Sequence, residues 1–401
     1  MRRLTLLLAA LAALSCTGSP RQETMADLRA RVIERARVQT VYMDSLLTDG
    51  RCPRTFQGDS LVTTDIGWWC SGFYPGVLWQ VYEATEDTLF RDLAVKHTLP
   101  LAGLLERNTD HDIGFQLMSS FGKMARHLPS DDPSCHSERS EGISPKTVLT
   151  RGAGILAARL DPAVGVIRSW NGNQWNYPVI IDNMMNLELL MEYGDRAVAE
   201  RHALTTAANH FREDGTTWHL VDYADDGSVL GKQTVQGYAD DSAWARGQAW
   251  ALYGYAMMAR EERKIGNEDL AKTFYEVSAK LEGWILPRLP EDGVPYWDFS
   301  QTDCRDASAG AIIACGLLQL WEFRGRTPDD PALAMAERIL RTLASPEYLV
   351  EPRTHGGFLL KHSVGSLPGH SEVDVPLTYA DYYFLEALSL FPVSVTPLKV
   401  N

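Results

Sequence analysis

The sequence predicts an all-α protein, an (α/α)6 barrel in which six inner helices are enclosed by six outer helices. Three observations lead to this prediction. Beyond about residue 25, apolar residues recur at spacings of three and four, which is the period of a helix packed on one side. The pattern divides into about twelve helical segments. These segments alternate along the chain between two kinds of composition.

The odd-numbered segments are amphipathic and carry a charged face, as expected for outer helices that meet water on one side. Segment 195–213, which begins DRAVAERH, is typical of them. The predicted outer helices are 25–47, 86–106, 144–160, 195–213, 267–288 and 330–345.

The even-numbered segments are apolar nearly all round and rich in Gly, Ala and aromatic residues, which suits inner helices packed on both sides. IIDNMMNLELLMEY and DASAGAIIACGLLQLWEF are examples. The predicted inner helices are 73–84, 114–127, 180–193, 240–262, 306–324 and 376–391. Joined up and down, the two kinds close into a double ring. An open solenoid of helical hairpins is the competing layout, but no repeat of fixed length is visible in the sequence.

The N-terminus indicates a cellular compartment. Arg2 and Arg3 precede an apolar run that is too short to span a bilayer, and Ser15 then precedes Cys16. This order resembles a bacterial lipoprotein signal, with a plain secretory signal as the alternative. We therefore expect a lipoprotein of the cell envelope, periplasmic or at the outer membrane, that contacts the membrane only through a lipid anchor at Cys16. The predicted parts are a signal peptide (1–15), a linker (16–24), the barrel domain (25–393) and a C-terminal tail (394–401).

Composition and charge exclude some classes of function. The chain has 401 residues, 45% of them apolar, which is enough for a large core. Its formal net charge is -14 and no basic stripe is visible, so nucleic acid is not an expected partner. No Cys-x-x-Cys, His-x-x-x-His or Glu-x-x-His spacing occurs, and we expect neither a metal nor a cofactor. A bridge between Cys52 and Cys70 is one alternative, but free thiols are expected.

Carboxylates mark the starts of the predicted inner helices. Because all inner helices run the same way, their starts lie on one rim of the barrel. N-capping explains such residues in general and is the expected role of Asp306. Asp182 fits capping less well, because it follows Val-Ile-Ile and precedes Asn-Met-Met. Desolvation there should raise the pKa of its side chain. The carboxylates at these starts are Asp112, Asp182, Asp240 with Asp241, Asp306 and Asp381.

Other residues expected on the same rim indicate a carbohydrate site. The segments WWCSGFYPG, HDIGF, SWNGNQW, TTWH and QGYADDSAWARGQAW bring carboxylates, aromatic rings, His, Gln and one Arg together. Carboxylates next to stacking aromatics are typical of sugar-cleaving sites. Arg246 suggests that the sugar carries an acid group, since guanidinium binds carboxylate or sulfate bidentately. The alternative is that Arg246 only pairs with Asp240 or Asp241.

Four motifs together resemble glycoside hydrolase family 88, the unsaturated glucuronyl hydrolases: HDIGF, VIIDNMMNLELL, QGYADDSAWARGQAWALYGYA and SEVDVPLTYADYYFLEAL. The resemblance covers residues 70 to 390 or so and implies an (α/α)6 barrel. It also implies release of the unsaturated uronic acid from the non-reducing end of lyase-generated glycosaminoglycan oligosaccharides, by hydration of the C4=C5 double bond.

The resemblance assigns roles to individual residues. Asp182 matches the general acid/base and Asp112 the second essential carboxylate of the family. The residues that match substrate-binding positions are His111, His219, Gln236, Arg246 and Trp250, together with Trp69 and Trp170 in loops of variable length. Two departures are the polar segment 129–144, where a short turn is usual, and Cys70, where Thr is commoner.

Two other functions remain compatible with the sequence. One is hydrolysis of unsaturated rhamnogalacturonyl groups on pectin fragments, with the same barrel and the same chemistry. The other is a surface lipoprotein that binds oligosaccharides without cutting them. The second would not require an Asp in an apolar setting, so substitution of Asp182 distinguishes it from the enzymes.

Overall fold

The computed structural model describes residues 23–107, 110–128, 144–172 and 174–392. The predicted signal peptide with Cys16, most of the predicted linker, the C-terminal tail and nearly all of the polar segment 129–144 lie outside the described residues.

All twelve predicted helical segments are present, and they form two concentric layers. The outer helices are α1 (Met25–Leu46), α3 (Thr88–Thr98), α6 (Pro145–Ala157), α8 (Arg196–Asn209), α10 (Glu268–Ile285) and α12 (Pro331–Leu343). The inner helices are α2 (Phe73–Thr85), α4 (Ile113–Leu117) with α5 (Lys123–His127), α7 (Leu187–Tyr193), α9 (Ala245–Lys264), α11 (Ala307–Phe323) and α13 (Thr378–Leu390). A π-helical turn, Met118–Gly122, joins α4 to α5, and a 3-10 helix, Ile181–Asn186, leads into α7.

Contacts between neighbouring inner elements close the ring. α2 packs on α13, α13 on α11, and α11 on α9. α9 packs on the 3-10 helix Ile181–Asn186, that helix packs on α4, and the π-helical turn returns to α2. The closed barrel is therefore confirmed and the open solenoid is wrong. Within the described part of the chain, no helix is long and apolar enough to cross a membrane.

Two glycines allow close contact between the 3-10 helix Ile181–Asn186 and its neighbours α4 and α9. A Cβ on Gly114 would lie 2.5 Å from the Asn186 side chain, and a Cβ on Gly254 would lie 2.6 Å from Met184. The Asn186 side chain also accepts a hydrogen bond from the Phe115 N–H at 2.7 Å. These contacts hold the 3-10 helix Ile181–Asn186 against α4 and α9, so a larger side chain at either glycine would push them apart.

Short antiparallel strands that the helical pattern did not predict lie at one end of the barrel. Each hairpin or strand precedes an inner helix, so all lie at the end where the inner helices begin, called the mouth here. The strands are β1 (Cys52–Gln57), β2 (Ser60–Thr64), β3 (Pro178–Ile180), β4 (Leu220–Tyr223), β5 (Val229–Gln233), β6 (Ser363–Ser366) and β7 (Ser371–Val375). Sheet order is β1-β2, β3-β4-β5 and β6-β7.

Two of the predicted inner helices begin later than predicted. The segment predicted as helix 180–193 begins as the end of β3 and continues as a 3-10 helix. Helix α9 begins at Ala245 rather than at residue 240, because Asp240 lies in a turn where its Oδ1 accepts the Thr234 N–H at 2.8 Å. Cys52 and Cys70 are free thiols, as expected.

Candidate active site

Asp182 lies at the mouth, on the 3-10 helix Ile181–Asn186 that directly follows β3. Its backbone neighbour Ile181 donates to the His219 carbonyl at 2.9 Å, which fixes the turn beside β4. The carboxyl makes no helix-capping hydrogen bond, and its side chain is 13% exposed. Burial raises the pKa of Asp182 to about 6, against the opposing charge of Arg246 and the indole N–H of Trp250. The carboxyl is therefore partly protonated near neutral pH.

His219 faces this carboxyl with a defined tautomer. Its Nε2 lies 3.6 Å from Asp182 Oδ1, and neither atom has a hydrogen-bond partner. On the other side of the ring, Nδ1 accepts the backbone N–H groups of Val235 at 3.0 Å and Gln236 at 3.2 Å. Burial lowers the pKa of His219 to about 3, so the ring is neutral. Because Nδ1 is an acceptor, the single proton must be on Nε2, directed toward Asp182.

Asp112 provides the second carboxyl of the site, at the start of α4. It makes no capping hydrogen bond, and its Oδ1 lies 3.4 Å from His111 Nε2. Burial, and then the negative charges of Asp110 and Asp182, raise its pKa well above the ordinary value. Burial lowers the pKa of His111 to about 3, so this ring is neutral too. The structure thus brings Asp112 and Asp182 close enough to interact.

Asp110 is a member of this cluster that the sequence analysis missed. Its Oδ1 accepts the backbone N–H of Asp112 at 3.0 Å, and burial raises its pKa. The run Asp110-His111-Asp112 has one carboxyl on each side of the histidine, and this pattern could have indicated Asp110 as part of the site.

Arg246 is buried, and its terminal nitrogens donate to protein atoms. Nη1 lies 3.3 Å from Asp306 Oδ2 and also donates to the Val364 carbonyl, while Nη2 donates to the Gly365 carbonyl at 2.6 Å. Its partner is therefore Asp306 rather than Asp240 or Asp241. Asp306 caps α11 as expected, by accepting the Ser308 N–H at 3.0 Å. A direct contact of Arg246 with a uronate stays a prediction.

Gln236 connects the same elements. Its backbone N–H donates to His219, and its Nε2 donates to the Gly365 carbonyl at 3.0 Å. The Gly365 carbonyl thus receives donors from both Gln236 and Arg246, which anchors the β6–β7 hairpin beside His219.

Aromatic side chains form the wall of the mouth. Trp250 is fully buried, and its ring lies 5.1 Å from Phe115. Phe115 lies 5.7 Å from Trp69, whose ring lies 4.7 Å from Tyr379. Trp69 therefore continues the same aromatic cluster.

Two further tryptophans lie at the mouth. Trp170 is half-buried and its ring lies 5.6 Å from Trp175 on the rim loop. Trp244, which the sequence analysis did not single out, packs 4.5 Å from His219, and the Arg246 guanidinium lies 4.5 Å from its ring. Trp244 thus packs against both His219 and Arg246.

One group of carboxylates in the described ranges has spacing suited to a metal ion, and it is not at the mouth. Glu188, Glu192 and Glu261 bring their oxygens within 4.8 Å of one another. They lie toward the end where the inner helices finish, called the floor here. Arg260 contacts Glu188 at 2.6 Å and Glu261 at 2.8 Å, Lys264 contacts Glu261 at 2.6 Å, and Arg126 contacts Glu192 at 3.3 Å, so each carboxylate already has a protein cation as partner.

The chain is similar in sequence and in structure to known proteins. No protein-family model matches the chain. An unsaturated glucuronyl hydrolase of Formosa agariphila is 38% identical over 337 residues, covering 80% of this chain and 79% of the relative. An unsaturated chondroitin disaccharide hydrolase of Streptococcus pneumoniae is 32% identical over 346 residues, covering 80% and 81%. The crystal structure of an unsaturated glucuronyl hydrolase specific for heparin matches with a TM-score of 0.82 and 38% identity, covering 91% of this chain and 97% of that one. The chain therefore belongs to the unsaturated glucuronyl hydrolases, which are glycosidases built on an (α/α)6 barrel.

Proposed function

We propose that this protein removes the unsaturated uronic acid from the non-reducing end of lyase-generated glycosaminoglycan oligosaccharides by hydrating the C4=C5 double bond. One observation carries the proposal: a carboxyl at the mouth, Asp182, has its pKa raised to about 6 and faces the N–H of a neutral histidine. The relatives support the substrate class, since one acts on chondroitin disaccharides and another is specific for heparin.

In the proposed reaction Asp182 acts first as an acid. Its protonated form donates the proton to C4, and the electron pair of the double bond forms the new C–H bond. The positive charge that develops at C5 is shared with the ring oxygen. A group with a pKa near 6 suits this step, because a fraction of the carboxyls still hold a proton near neutral pH and give it up readily.

Asp182 then acts as a base. As a carboxylate it takes a proton from water while the water oxygen bonds to C5, which restores the acid and forms a hemiketal. The hemiketal opens by breaking the bond between C5 and the ring oxygen, which leaves a ketone at C5 and a hemiacetal at C1. The hemiacetal hydroxyl then gives its proton to the glycosidic oxygen as the C1–O bond breaks, which forms an aldehyde and releases the second sugar. The Nε2–H of His219, 3.6 Å from Asp182, is placed to stabilise the carboxylate between the two steps.

Asp112 has a different role in this scheme. Burial and the neighbouring carboxylates raise its pKa well above the ordinary value, which favours the protonated form that can donate a hydrogen bond to a sugar hydroxyl. His111, Gln236, Trp250, Trp69 and Trp170 surround the same mouth and are proposed to bind the sugar. Arg246 is proposed to hold the β6–β7 hairpin in place and to attract the acid group of the sugar by its charge.

The test follows loss of the ultraviolet absorbance of the conjugated acid, which hydration destroys. Wild-type protein should consume unsaturated chondroitin and heparin disaccharides, and should leave an unsaturated rhamnogalacturonyl disaccharide largely intact. Asp182→Asn should lose nearly all turnover, by about 10³-fold in kcat, while calorimetry still detects substrate binding. An inactive wild type that binds the disaccharides would instead identify a glycan-binding protein, and preference for the pectin fragment would identify the rhamnogalacturonyl activity.

We also propose that the mature protein is anchored by a lipid at Cys16 in the bacterial cell envelope. The order of charged, apolar and small residues before Cys16 supports this. Full-length protein expressed in a bacterium with labelled palmitate should carry the label and sediment with membranes, and Cys16→Ala should do neither. Release of unlabelled wild-type protein into the soluble periplasmic fraction would contradict the anchor.

A further inference from the structure

A cavity opens at the rim beside the candidate active site. It measures about 320 Å³, and its lining includes two guanidinium groups, Arg159 and Arg168, with Asn171 and Tyr177. These residues belong to the loop that leads from outer helix α6 to β3. Because outer helices end at the mouth, this loop lies on the same face of the barrel as Asp182.

The loop is attached directly to the active site. The carbonyl of Ser169 accepts the His111 N–H at 3.0 Å, and the Ser169 hydroxyl accepts the Ile180 N–H at 2.9 Å. Arg168 and Asn171 are one and two residues from this anchor, a span of at most about 7 Å of extended chain. Trp170, a predicted sugar-binding residue, lies between them.

The Arg159 charge reaches the active-site carboxyls. Burial raises the pKa of both Asp110 and Asp112, and Arg159 opposes that rise at both residues. A ligand in the cavity would therefore lie close to the groups that hold the sugar.

The two guanidinium groups are held in place by the loop itself. Arg159 Nε donates to the Arg168 carbonyl at 2.8 Å, and its Nη2 donates to Asn171 Oδ1 at 3.3 Å. Arg168 lies 5.0 Å from the centre of the Tyr177 ring and donates through Nη2 to the Asn176 carbonyl. Preorganised guanidinium groups lose little conformational entropy when they bind an oxyanion.

Arg168 also has a donor that the protein leaves unused. Its Nε is buried and has no hydrogen-bond partner. A buried donor without a partner costs free energy that an anion could recover. The one carboxylate in the lining, Asp161, accepts the Ala163 N–H at 2.7 Å, so the cavity holds two cationic groups against one anionic group.

We propose that this cavity is an anion subsite that receives a sulfate ester or a carboxylate from a sugar on the reducing side of the cleaved linkage. The proposal rests on the proposed function, because it assigns the far end of the same substrate. It predicts that the protein prefers sulfated or longer oligosaccharides over an unsulfated disaccharide.

The experiment compares three unsaturated substrates: an unsulfated disaccharide, the same disaccharide with a sulfate on its reducing-side sugar, and an unsulfated tetrasaccharide that offers a second uronate. In Arg168→Gln, kcat/KM for the substrate that uses the subsite should fall about tenfold or more relative to the unsulfated disaccharide, mainly through KM. A selective loss on the sulfated disaccharide shows that the subsite binds a sulfate, and a selective loss on the tetrasaccharide shows that it binds a carboxylate. In Arg168→Lys, which keeps the charge, kcat/KM should fall less.

Lys272→Gln is the matched control. It removes one positive charge from an outer helix at a side chain that is 76% exposed, and it should leave all three ratios unchanged. Equal losses on all three substrates in Arg168→Gln, or no loss on any, would overturn the subsite. Thermal unfolding of each variant identifies a folding defect, in which case Arg168→Lys carries the comparison.

Failure of the proposed function gives a distinguishable result, because the wild type would then consume none of the substrates. Calorimetric titration of inorganic sulfate still tests the cavity in that case. Saturable binding to the wild type that Arg168→Gln weakens about tenfold supports an anion site, and equal or absent binding in the two proteins overturns it.

Discussion

Two acids on one inner segment, one at each end of the barrel, have pKa values that shift in opposite directions. Asp182 lies at the mouth, and Glu188 lies six residues later, toward the floor. Their side chains are similarly shielded, with 13% and 23% exposed. Yet the pKa of Asp182 is raised to about 6, whereas that of Glu188 is lowered.

The difference lies in the cations. Burial alone would raise the pKa of Glu188, but Arg260 at 2.6 Å and the charges of Arg126 and Lys264 more than offset it. Asp182 instead faces a neutral histidine, and the nearby Arg246 is paired with Asp306.

Glu386, another inner-helix acid, is an intermediate case. Burial raises its pKa, and the more distant charge of Lys123 and the hydrogen bond from the Tyr253 hydroxyl at 2.9 Å offset that rise only in part. Close cations, rather than depth of burial, therefore account for the opposite pKa shifts of Glu188 and Asp182.

The largest effect that would sharpen this comparison is on turnover. Asp182→Asn removes the proton donor, so kcat should fall by about 10³-fold, within the range of general acid catalysis. Glu188→Gln removes a similarly shielded acid from the same segment and should change kcat less than about threefold. Initial rates on an unsaturated disaccharide measure both. Comparable losses in the two variants would mean that the mouth acid has no special role.

The next effect is on stability at the floor. Arg260→Met leaves Glu188 and Glu261 without their shared cation and should lower the free energy of unfolding at pH 7 by about 2–3 kcal/mol. In the wild type, the lowered pKa of Glu188 means that its contribution is present above the ordinary value of 4.5 and is lost as pH falls. Without Arg260 the carboxylate becomes the disfavoured form, so the deficit should shrink toward pH 5.

Urea unfolding at pH 5 and pH 8 measures this change. Lys272→Met, which breaks the exposed 3.8 Å pair with Glu276, is the control and should leave the midpoint unchanged. A deficit in Arg260→Met that does not vary with pH would show that lost packing, not charge, accounts for it.

A smaller effect of opposite sign is expected at the mouth. The folded pKa of Asp182 exceeds the ordinary value of 3.8, so its contribution is fully present below pH 3.8 and is lost as pH rises through about 6. Asp182→Asn cannot ionise, and it should therefore gain about 2 kcal/mol of stability relative to the wild type between pH 4 and pH 7. Unfolding free energies across that interval test it. A difference that stays constant with pH would place the folded pKa near its ordinary value.

The smallest effect concerns the His219 N–H that faces Asp182. His219→Ala removes the Nε2–H, 3.6 Å from Asp182, and should lower kcat/KM about tenfold, the value of one such donor. It should also move the descending limb of the pH profile to higher pH, because the carboxylate loses a stabilising donor. His219→Gln, which can restore an N–H, should recover part of the loss. A pH profile identical to that of the wild type in both variants would show that His219 only packs.

The helical layers and the main acid could be predicted from the sequence. Apolar spacing separates α11, buried from Ala307 to Trp321, from α12, which buries only one face. The apolar flanks of Asp182 indicated a raised pKa, and Asp306 was expected as a cap. These properties depend on residues within a few positions of one another along the chain, so the local sequence contains them.

Contacts between distant segments were decided by the tertiary structure alone. β3 pairs with β4 about 40 residues later, and Arg246 pairs with Asp306 rather than with its sequence neighbours. The tautomer of His219 depends on two backbone N–H groups from another loop. No local period encodes such pairings, because they exist only once the ring of helices has closed and brought the rim loops together. The sequence by itself thus determined which residues are buried and acidic, and the folded barrel decided which of those acids meet a cation.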